Sequence, residues 1–349
     1  MIHTFLKYLE TNKIDYVITN GYKELFENST SEHDVDILFK RKDFVSIEKT
    51  MEAFCKQEDF KIVQIYHQEV YAKNIFLYKP STQEILNLDM YGKLHKNNYE
   101  YFLEETMFKN RISYKGISVL ANHQEFFHYF LKKISKGDLA KITFEYLRTL
   151  YFKDESGCSE TLKNQLNKTG KIIGEAFVKN DINTIIELRN EILADVKTRK
   201  PSFSYLLKDK LRVVKRILKP TGISIAFLGP DGSGKTTIID GLKNSILPFR
   251  KTDYFHLKPV RSKNMESGVT TDPHQFKPYS RLKSYTKLLY FIYQYNFGWV
   301  KNIIPLKIKS SLIIFDRYFD DLIADNKRYR YGGENFMAKF FRLFIKKPS

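Results

Sequence analysis

One short motif constrains the fold of this chain more than any other feature. Residues 229–236 read GPDGSGKT, which fits the phosphate-loop pattern G-x-x-x-x-G-K-[ST] in full. An apolar run from Ile223 to Leu228 precedes the motif and suits a buried parallel strand, and a helix-compatible segment from Thr237 to Leu242 follows it. Strand, glycine loop and helix in this order predict a nucleotide-binding parallel sheet rather than an ordinary glycine turn.

The residue types of this motif explain its chemistry. Glycines let backbone N–H groups turn inward around a phosphate at a helix N-terminus, whose dipole also favours an anion. The lysine of such a loop, here Lys235, reaches the β- and γ-phosphate oxygens, and the hydroxyl of Thr236 is a ligand of Mg²⁺. The expected cofactors are therefore ATP and Mg²⁺. The predicted nucleotide-binding residues are Gly229, Asp231, Gly232, Ser233, Gly234, Lys235, Thr236 and Thr237.

The phosphate loop and a second motif resemble the thymidylate-kinase family of ATP-dependent phosphotransferases. Residues 227–237, FLGPDGSGKTT, are similar to the family's phosphate loop. Residues 312–318, LIIFDRY, read as a strand ending in Asp-Arg-Tyr, as the family has at its third core strand, and residues 328–333, RYRYGG, resemble its acceptor-side loop. The resemblance covers residues 223–349 and implies a P-loop kinase.

The resemblance also implies roles for individual residues. Asp316 would hold Mg²⁺ directly or through water, and Arg317 would bind the acceptor anion and neutralise charge during in-line transfer. With Lys235 they form the expected catalytic set, and Thr236 and Asp316 form the expected metal site. The alternative is that Asp316 and Arg317 form only a surface ion pair. The expected acceptor ligands are Lys258, Arg261, Tyr318, Arg328 and Arg330.

Two features depart from that family. A long aromatic segment precedes Ser310; such a segment is more typical of a helix core than of a base-stacking pocket, and nothing in it identifies thymine. The acceptor is therefore a nucleotide, a sugar or another small molecule. In the family, a lid and further strands follow a segment like residues 344–348, FIKKP. For the chain as given we therefore expect about three parallel strands and slow or absent kinase turnover. Three interpretations stay open: the chain is a fragment, a partner supplies the missing parts, or the module binds nucleotide without efficient transfer.

A second pattern of carboxylates lies near the start of the chain. Residues 33–39, HDVDILF, place Asp34 and Asp36 on one face of a predicted strand, and Asp89 lies on a later strand. Three such carboxylates suit two Mg²⁺ ions. The pattern resembles the minimal nucleotidyltransferase fold, although Tyr22 follows the glycine turn where that family has serine. Three interpretations of these carboxylates stay open. They form an active site, they belong to a degenerate fold that is used for binding, or they merely face solvent.

The predicted architecture is a multidomain α/β protein. We predict residues 1–115 as a nucleotidyltransferase-like mixed sheet, 116–196 as a helical segment, 197–222 as a basic linker helix and 223–349 as an incomplete P-loop parallel sheet resembling thymidylate kinase. The strands expected in the first segment are 16–19, 35–39, 61–66, 74–78 and 85–91. The linker carries nine Lys/Arg against one acid between Lys197 and Lys219.

Composition narrows the class of protein. The two cysteines, Cys55 and Cys158, lie far apart, which excludes a disulfide scaffold and a cysteine zinc site. The start of the chain has no signal-peptide core, and the longest apolar stretch, residues 288–300, is too short to span a bilayer, so we predict a cytoplasmic protein. The net charge of +18 fits polyphosphate ligands, and the basic linker leaves contacts with nucleic acid or an anionic membrane open.

Three functions remain compatible with these observations. The favoured one is a kinase that transfers a phosphoryl group from ATP to a nucleotide or similar small acceptor. The second is a metal-dependent nucleotidyltransferase acting through Asp34, Asp36 and Asp89, with the P-loop module regulatory or acceptor-binding. The third is a non-catalytic nucleotide-dependent binding protein. The expected partners are a nucleoside triphosphate and a small-molecule acceptor, and a homo-oligomer stays open.

Overall fold

The computed structural model divides the chain into two compact units, Met1–Arg212 and Val213–Ser349. The structure describes residues 1–26, 35–96, 98–198, 200–245, 247–260 and 276–349. The first unit contains both the predicted mixed sheet and the predicted helical segment, because the two share one hydrophobic core.

The first unit combines a mixed sheet with helices. Its strands are β1 (Tyr16–Asn20), β2 (Val35–Phe39), β3 (Lys61–Glu69), β4 (Ala72–Lys79), β5 (Glu84–Tyr91), β6 (His95–Lys96), β7 (Tyr99–Glu100), β8 (Ile112–Tyr114) and β9 (Ile117–Val119). Its helices are α1 (Ile2–Thr11), a 3₁₀ turn (Glu24–Phe26), α2 (Arg41–Val45), α3 (Ile47–Gln57), α4 (Glu104–Asn110), α5 (Asn122–Lys136), α6 (Lys141–Lys153), α7 (Glu155–Gln165), α8 (Gly170–Lys179), α9 (Ile182–Glu187) and α10 (Arg189–Asp195).

Seven of these strands form one sheet in the order β3-β4-β5-β2-β1-β9-β8. Strand β2 is antiparallel to β1 and parallel to β5, which makes the sheet mixed. All five strands predicted for this region are present. The region predicted to be helical, residues 116–196, contains helices α5 to α10, but it begins with β9, a strand of this sheet.

Both faces of this sheet are covered. Side chains alternate along a strand, so Val17 and Leu38 face one hydrophobic cluster while Ile18 and Ile37 face the other. Helix α5 contributes Phe126 and other aromatic residues to the first cluster. Every residue of β2 is therefore buried, including the carboxylate residue Asp36.

The second unit is a parallel sheet with helices. Its strands are β10 (Ile223–Phe227), β11 (Lys251–His256) and β12 (Ser311–Asp316). Its helices are α12 (Lys235–Asn244), α13 (Arg281–Gly298), a π-helical turn (Trp299–Ile303), α14 (Ile304–Ile308), α15 (Phe319–Ala324) and α16 (Asn335–Arg342). Within the described residues the strands lie in the order β10-β12-β11 and are all parallel, which agrees with the predicted parallel sheet.

The aromatic segment before Ser310 is the helix α13, and only one side of it is core. Phe291 and Tyr295 are buried, together with Trp299 of the π turn, whereas Tyr293 and Phe297 are about half exposed at 59% and 49%. The prediction that this stripe is helix core is therefore right for one face of the helix.

The predicted basic linker is helical, as α11 (Phe203–Leu218), and the unit boundary falls within it. None of its residues is buried. Across the residues that the structure describes, no helix has both the length and the apolar character needed to cross a bilayer.

Candidate functional site

The glycine loop lies between β10 and α12, as predicted. Gly229, Gly232 and Gly234 have φ angles of 156°, 79° and 80°, a region that favours glycine because a Cβ atom would be strained there. Helix α12 begins at Lys235, and Thr236 and Thr237 are exposed in its first turn. The loop therefore presents a helix N-terminus and its free N–H groups to an incoming anion.

The side chain of Lys235 folds back over this loop. Its ammonium donates hydrogen bonds to the carbonyl oxygens of Gly229 at 2.8 Å and Pro230 at 2.6 Å, and to the hydroxyl of Ser233 at 3.3 Å. The loop therefore holds its own cation at the mouth of the anion cradle, where phosphate oxygens can replace the weaker neutral acceptors.

Asp316 lies at the carboxyl end of β12, level with Phe227 of β10 and His256 of β11. Its Oδ2 atom accepts a hydrogen bond from the Tyr254 hydroxyl at 3.1 Å. Its Oδ1 atom is buried and has no hydrogen-bond partner among the residues that the structure describes. Because an unpaired buried carboxylate oxygen is costly, this atom is suited to bind a cation.

The residues fit a magnesium site of the kind that relies on few protein ligands. Mg²⁺ at nucleotide sites is held by one or two carboxylates together with substrate phosphates and water. Asp316 supplies one such carboxylate, and the hydroxyl of Thr236 is the second protein ligand expected from the sequence. In the described part of the chain, no group of three or more His, Cys, Asp or Glu side chains converges as a ready-made metal cage.

Arg317 connects the end of β12 to the phosphate loop. Its backbone has a φ angle of 72°, and its N–H donates to the carbonyl of Phe227 at 3.0 Å. Its guanidinium donates to Asp321 at 2.9 Å and also to Asp231 of the loop. Arg328 donates to the same Asp231 at 2.8 Å. Two of the expected acceptor-side arginines thus meet at one carboxylate of the loop.

Asp231 therefore pairs with two arginines that the sequence assigns to the acceptor, although the motif alone assigns Asp231 to nucleotide binding. Its hydrogen bond from Arg328, with further contributions from Arg317, lowers the pKa of the Asp231 carboxyl. The carboxyl stays ionised and holds the two guanidinium groups close to the loop.

A cluster of lysines lies near the end of β11. Burial, together with the nearby Lys287, lowers the pKa of Lys258 to about 8. Burial, followed by the charges of Arg330 and Lys283, also lowers the pKa of Lys287. The Lys258 ammonium lies 4.2 Å from the ring centre of Phe291, and no carboxylate among the described residues pairs with it. Half-buried cations of this kind favour an anion.

Lys287 is the functional candidate that sequence reasoning missed. It lies inside the aromatic helix α13, and its ammonium donates to the carbonyl of Tyr329 at 2.7 Å. The neighbouring Arg330 donates to the carbonyl of Lys277 at 3.1 Å and lies over the Tyr279 ring at 4.3 Å. The only signal in the sequence is that Lys287 lies four residues before Phe291, so the two side chains project from the same side of the helix.

The loop that carries Lys258 is held in place by the helix beside it. The Tyr295 hydroxyl donates to the Leu257 carbonyl, and the Asn302 side chain donates to the Pro259 carbonyl at 2.8 Å. Leu257 itself has a φ angle of 61°, which costs energy for a leucine. The π-helical turn after Gly298 brings Asn302 to this loop, a type of irregularity that is frequent at functional sites.

Two of the expected acceptor ligands need a different description. Tyr318 is fully buried, and its hydroxyl donates to the carbonyl of Lys346 at 2.5 Å, so its position suits a core residue rather than an acceptor ligand. Packing in the core therefore explains why a tyrosine follows Asp316 and Arg317 in the sequence. Arg261 lies outside the described residues.

The carboxylates of the first unit lie together on the face of the sheet that α5 covers. Asp36 and Asp89 are register partners on the parallel strands β2 and β5. Asp89 accepts a hydrogen bond from Asn74 at 2.6 Å. Both oxygens of Asp36 have partners, from Lys132 at 2.5 Å and the Tyr91 hydroxyl at 3.2 Å. Asp34 lies outside the described residues.

Tyr22, which follows the glycine turn in place of a small hydroxyl residue, is a buried structural residue. Its hydroxyl donates to Glu125 at 2.9 Å, and the Tyr146 hydroxyl donates to the same carboxyl group. Burial raises the pKa of Glu125, and the two tyrosine hydroxyls oppose that rise. The side chain of Tyr22 therefore supports helix α5 and is not directed at a ligand.

No family model matches this chain, and no curated protein matches it. A solved structure that it resembles is the crystal structure of JHP933 from Helicobacter pylori, at 13% sequence identity and a TM-score of 0.30. That match covers 61% of this chain and 91% of the other. The TM-score is too low to define a shared fold.

Proposed function

We propose that the second unit binds ATP with Mg²⁺ and transfers the γ-phosphoryl group to a small acceptor. One observation carries the proposal: a complete phosphate loop and the unpaired carboxylate oxygen of Asp316 lie at the carboxyl ends of adjacent parallel strands. Ligands of open α/β sheets bind at that edge.

The phosphate loop would bind the triphosphate through backbone N–H groups and Lys235. The ammonium would leave its carbonyl acceptors in the loop for the more basic phosphate oxygens. Mg²⁺, held by Thr236 and Asp316, would neutralise charge on the β- and γ-phosphates. An acceptor oxygen would then form a bond to the γ-phosphorus while the bond to the bridging oxygen breaks and ADP leaves.

The acceptor would lie on the side of Arg317. This residue lies between the loop carboxylate Asp231 and the buried Asp321, which fixes its guanidinium. Lys258 and Lys287 add two half-buried cations. This charge supports an acceptor with an anionic group, such as a nucleotide or a phosphorylated sugar, and Arg317 would stabilise the charge that develops during transfer.

The role of Asp316 can be tested by the metal dependence of ATP binding. We expect Asp316→Asn to weaken ATP binding at least about tenfold in Mg²⁺, as measured by calorimetry, and to change it little in EDTA. Asp240→Asn, which alters an exposed carboxylate on α12, is the matched control. Equal ATP affinities of the Asp316→Asn variant and the control in Mg²⁺ would remove the proposed metal ligand.

A further inference from the structure

The buried carboxylate of the first unit already faces a cation. Asp36 is 2% exposed, and the Lys132 ammonium donates to its Oδ2 atom at 2.5 Å. The Tyr91 hydroxyl donates to the other oxygen at 3.2 Å. A buried carboxylate requires a counter-ion or several hydrogen bonds, and this one has both.

Local structure explains why Lys132 reaches this position. Asp36 and Leu38 are two residues apart on β2 and therefore point to the same face, the one that α5 covers. Helix α5 packs its aromatic side chains, including Phe130, into that cluster. Lys132 lies one turn after His128, so both side chains project from the same side of α5. Helix packing thus fixes the lysine against Asp36.

Among the described groups beside Asp36, Lys132 supplies the positive charge. His128 is partly buried, and its Nδ1 atom lies 2.6 Å from the Tyr101 hydroxyl. Burial lowers the pKa of His128 to about 4, so its ring is neutral near pH 7. A divalent ion at Asp36 would have to displace the ammonium or lie beside it against charge repulsion.

We propose that Lys132 occupies the cation position of the first unit, so that this unit binds no divalent metal ion at Asp36. The resemblance to nucleotidyltransferases implies metal-binding carboxylates here, and the arrangement around Asp36 does not fit that role. The candidate metal site at Asp316 lies in the second unit and is separate from this one. The inference stands independently of whether that unit transfers phosphate.

The test measures Mn²⁺ binding to the full chain by electron paramagnetic resonance, without nucleotide. All proteins carry Asp316→Asn, which silences the candidate metal site of the second unit. The parent protein is the chain with Asp316→Asn alone. We expect the addition of Asp36→Asn to leave Mn²⁺ binding by the parent unchanged. We expect Lys132→Met to create a Mn²⁺ site at least about tenfold tighter than any in the parent, and Asp36→Asn to abolish that site.

Lys133→Met is the matched control, because Lys133 lies on the same helix but pairs with Asp138 at 3.1 Å. It should create no site. The proposal is overturned if the parent binds Mn²⁺ in a way that Asp36→Asn abolishes. It is also overturned if folded Lys132→Met binds no more Mn²⁺ than the control. Should Lys132→Met fail to fold, Lys132→Gln replaces it. The comparison of the parent with the Asp36→Asn protein needs neither lysine variant, and it decides by itself whether Asp36 binds Mn²⁺.

Discussion

The close contact between Gly298 and the Lys258 loop gives a sharp prediction about stability. A Cβ atom at Gly298 would lie 2.9 Å from the carbonyl carbon and 3.0 Å from Cγ of Pro259, and closer still to the carbonyl oxygen. That loop cannot easily move, because Tyr295 and Asn302 of the adjacent helical segment both donate hydrogen bonds to its carbonyl groups. Overpacking of this kind costs about 1–3 kcal/mol.

Replacement of a helical glycine by alanine otherwise stabilises a protein by about 0.5–1 kcal/mol. The matched control is Gly241→Ala in α12, since a Cβ atom at Gly241 meets no other atom within 4 Å. We therefore expect Gly298→Ala to lower the free energy of unfolding by about 1–2 kcal/mol and Gly241→Ala to raise it by about 0.5–1 kcal/mol.

The assay is urea unfolding followed by tryptophan fluorescence. The chain has one tryptophan, Trp299, and it is buried in the core of the second unit, so the signal reports that unit. If Gly298→Ala stabilises the second unit as much as Gly241→Ala does, the loop is not held as described and the reasoning about Lys258 fails.

Three further predictions concern single residues. Because Lys258 has a pKa of about 8 when folded and an ordinary value of 10.5, the unfolded chain binds more protons between these pH values. The stability of the second unit should therefore rise with pH across that window, and Lys258→Met should flatten the rise in urea unfolding at pH 7.5 to 9.5. Asp321→Asn removes a buried partner of Arg317 and should lower the free energy of unfolding of the second unit by about 3 kcal/mol. Asp231→Asn removes an exposed partner of the same arginine and should lower it by under about 1 kcal/mol. Both changes are measured by urea unfolding followed by tryptophan fluorescence. Tyr22→Phe should cost the first unit about 1–2 kcal/mol in unfolding followed by circular dichroism, because it removes a hydrogen bond to a buried glutamate; an unchanged midpoint would contradict that contact.

Local patterns were sufficient to predict most strands of the two sheets, but not the short strands β8 and β9. Alternation and turn residues predict β1 to β5. The apolar runs at residues 223–228 and 312–315 predict the adjacent strands β10 and β12 of the second sheet. The phosphate loop is recognisable because its glycines serve a backbone conformation that few other residues adopt. These features depend on neighbours in sequence.

The features that sequence could not predict depend on contacts between distant residues. The ion pair of Asp36 joins residues 96 positions apart, and the bond between Tyr22 and Glu125 spans 103. Spacing alone identified Asp36 as a carboxylate at a strand but not the lysine that neutralises it. In the same way, the motif assigned Asp231 to nucleotide binding, while its two arginine partners come from segments 86 and 97 residues away.

The central claim is that ATP binds at the phosphate loop of the second unit. The most direct test is calorimetric titration of ATP with Mg²⁺ into the wild type, Lys235→Ala and Lys339→Ala, the last being an exposed lysine of α16. We predict that the wild type and Lys339→Ala bind equally, and that Lys235→Ala loses at least about tenfold in affinity, since a charge-assisted hydrogen bond contributes about 1.5–3 kcal/mol. Equal affinity of all three proteins, or no binding by the wild type, would contradict the account.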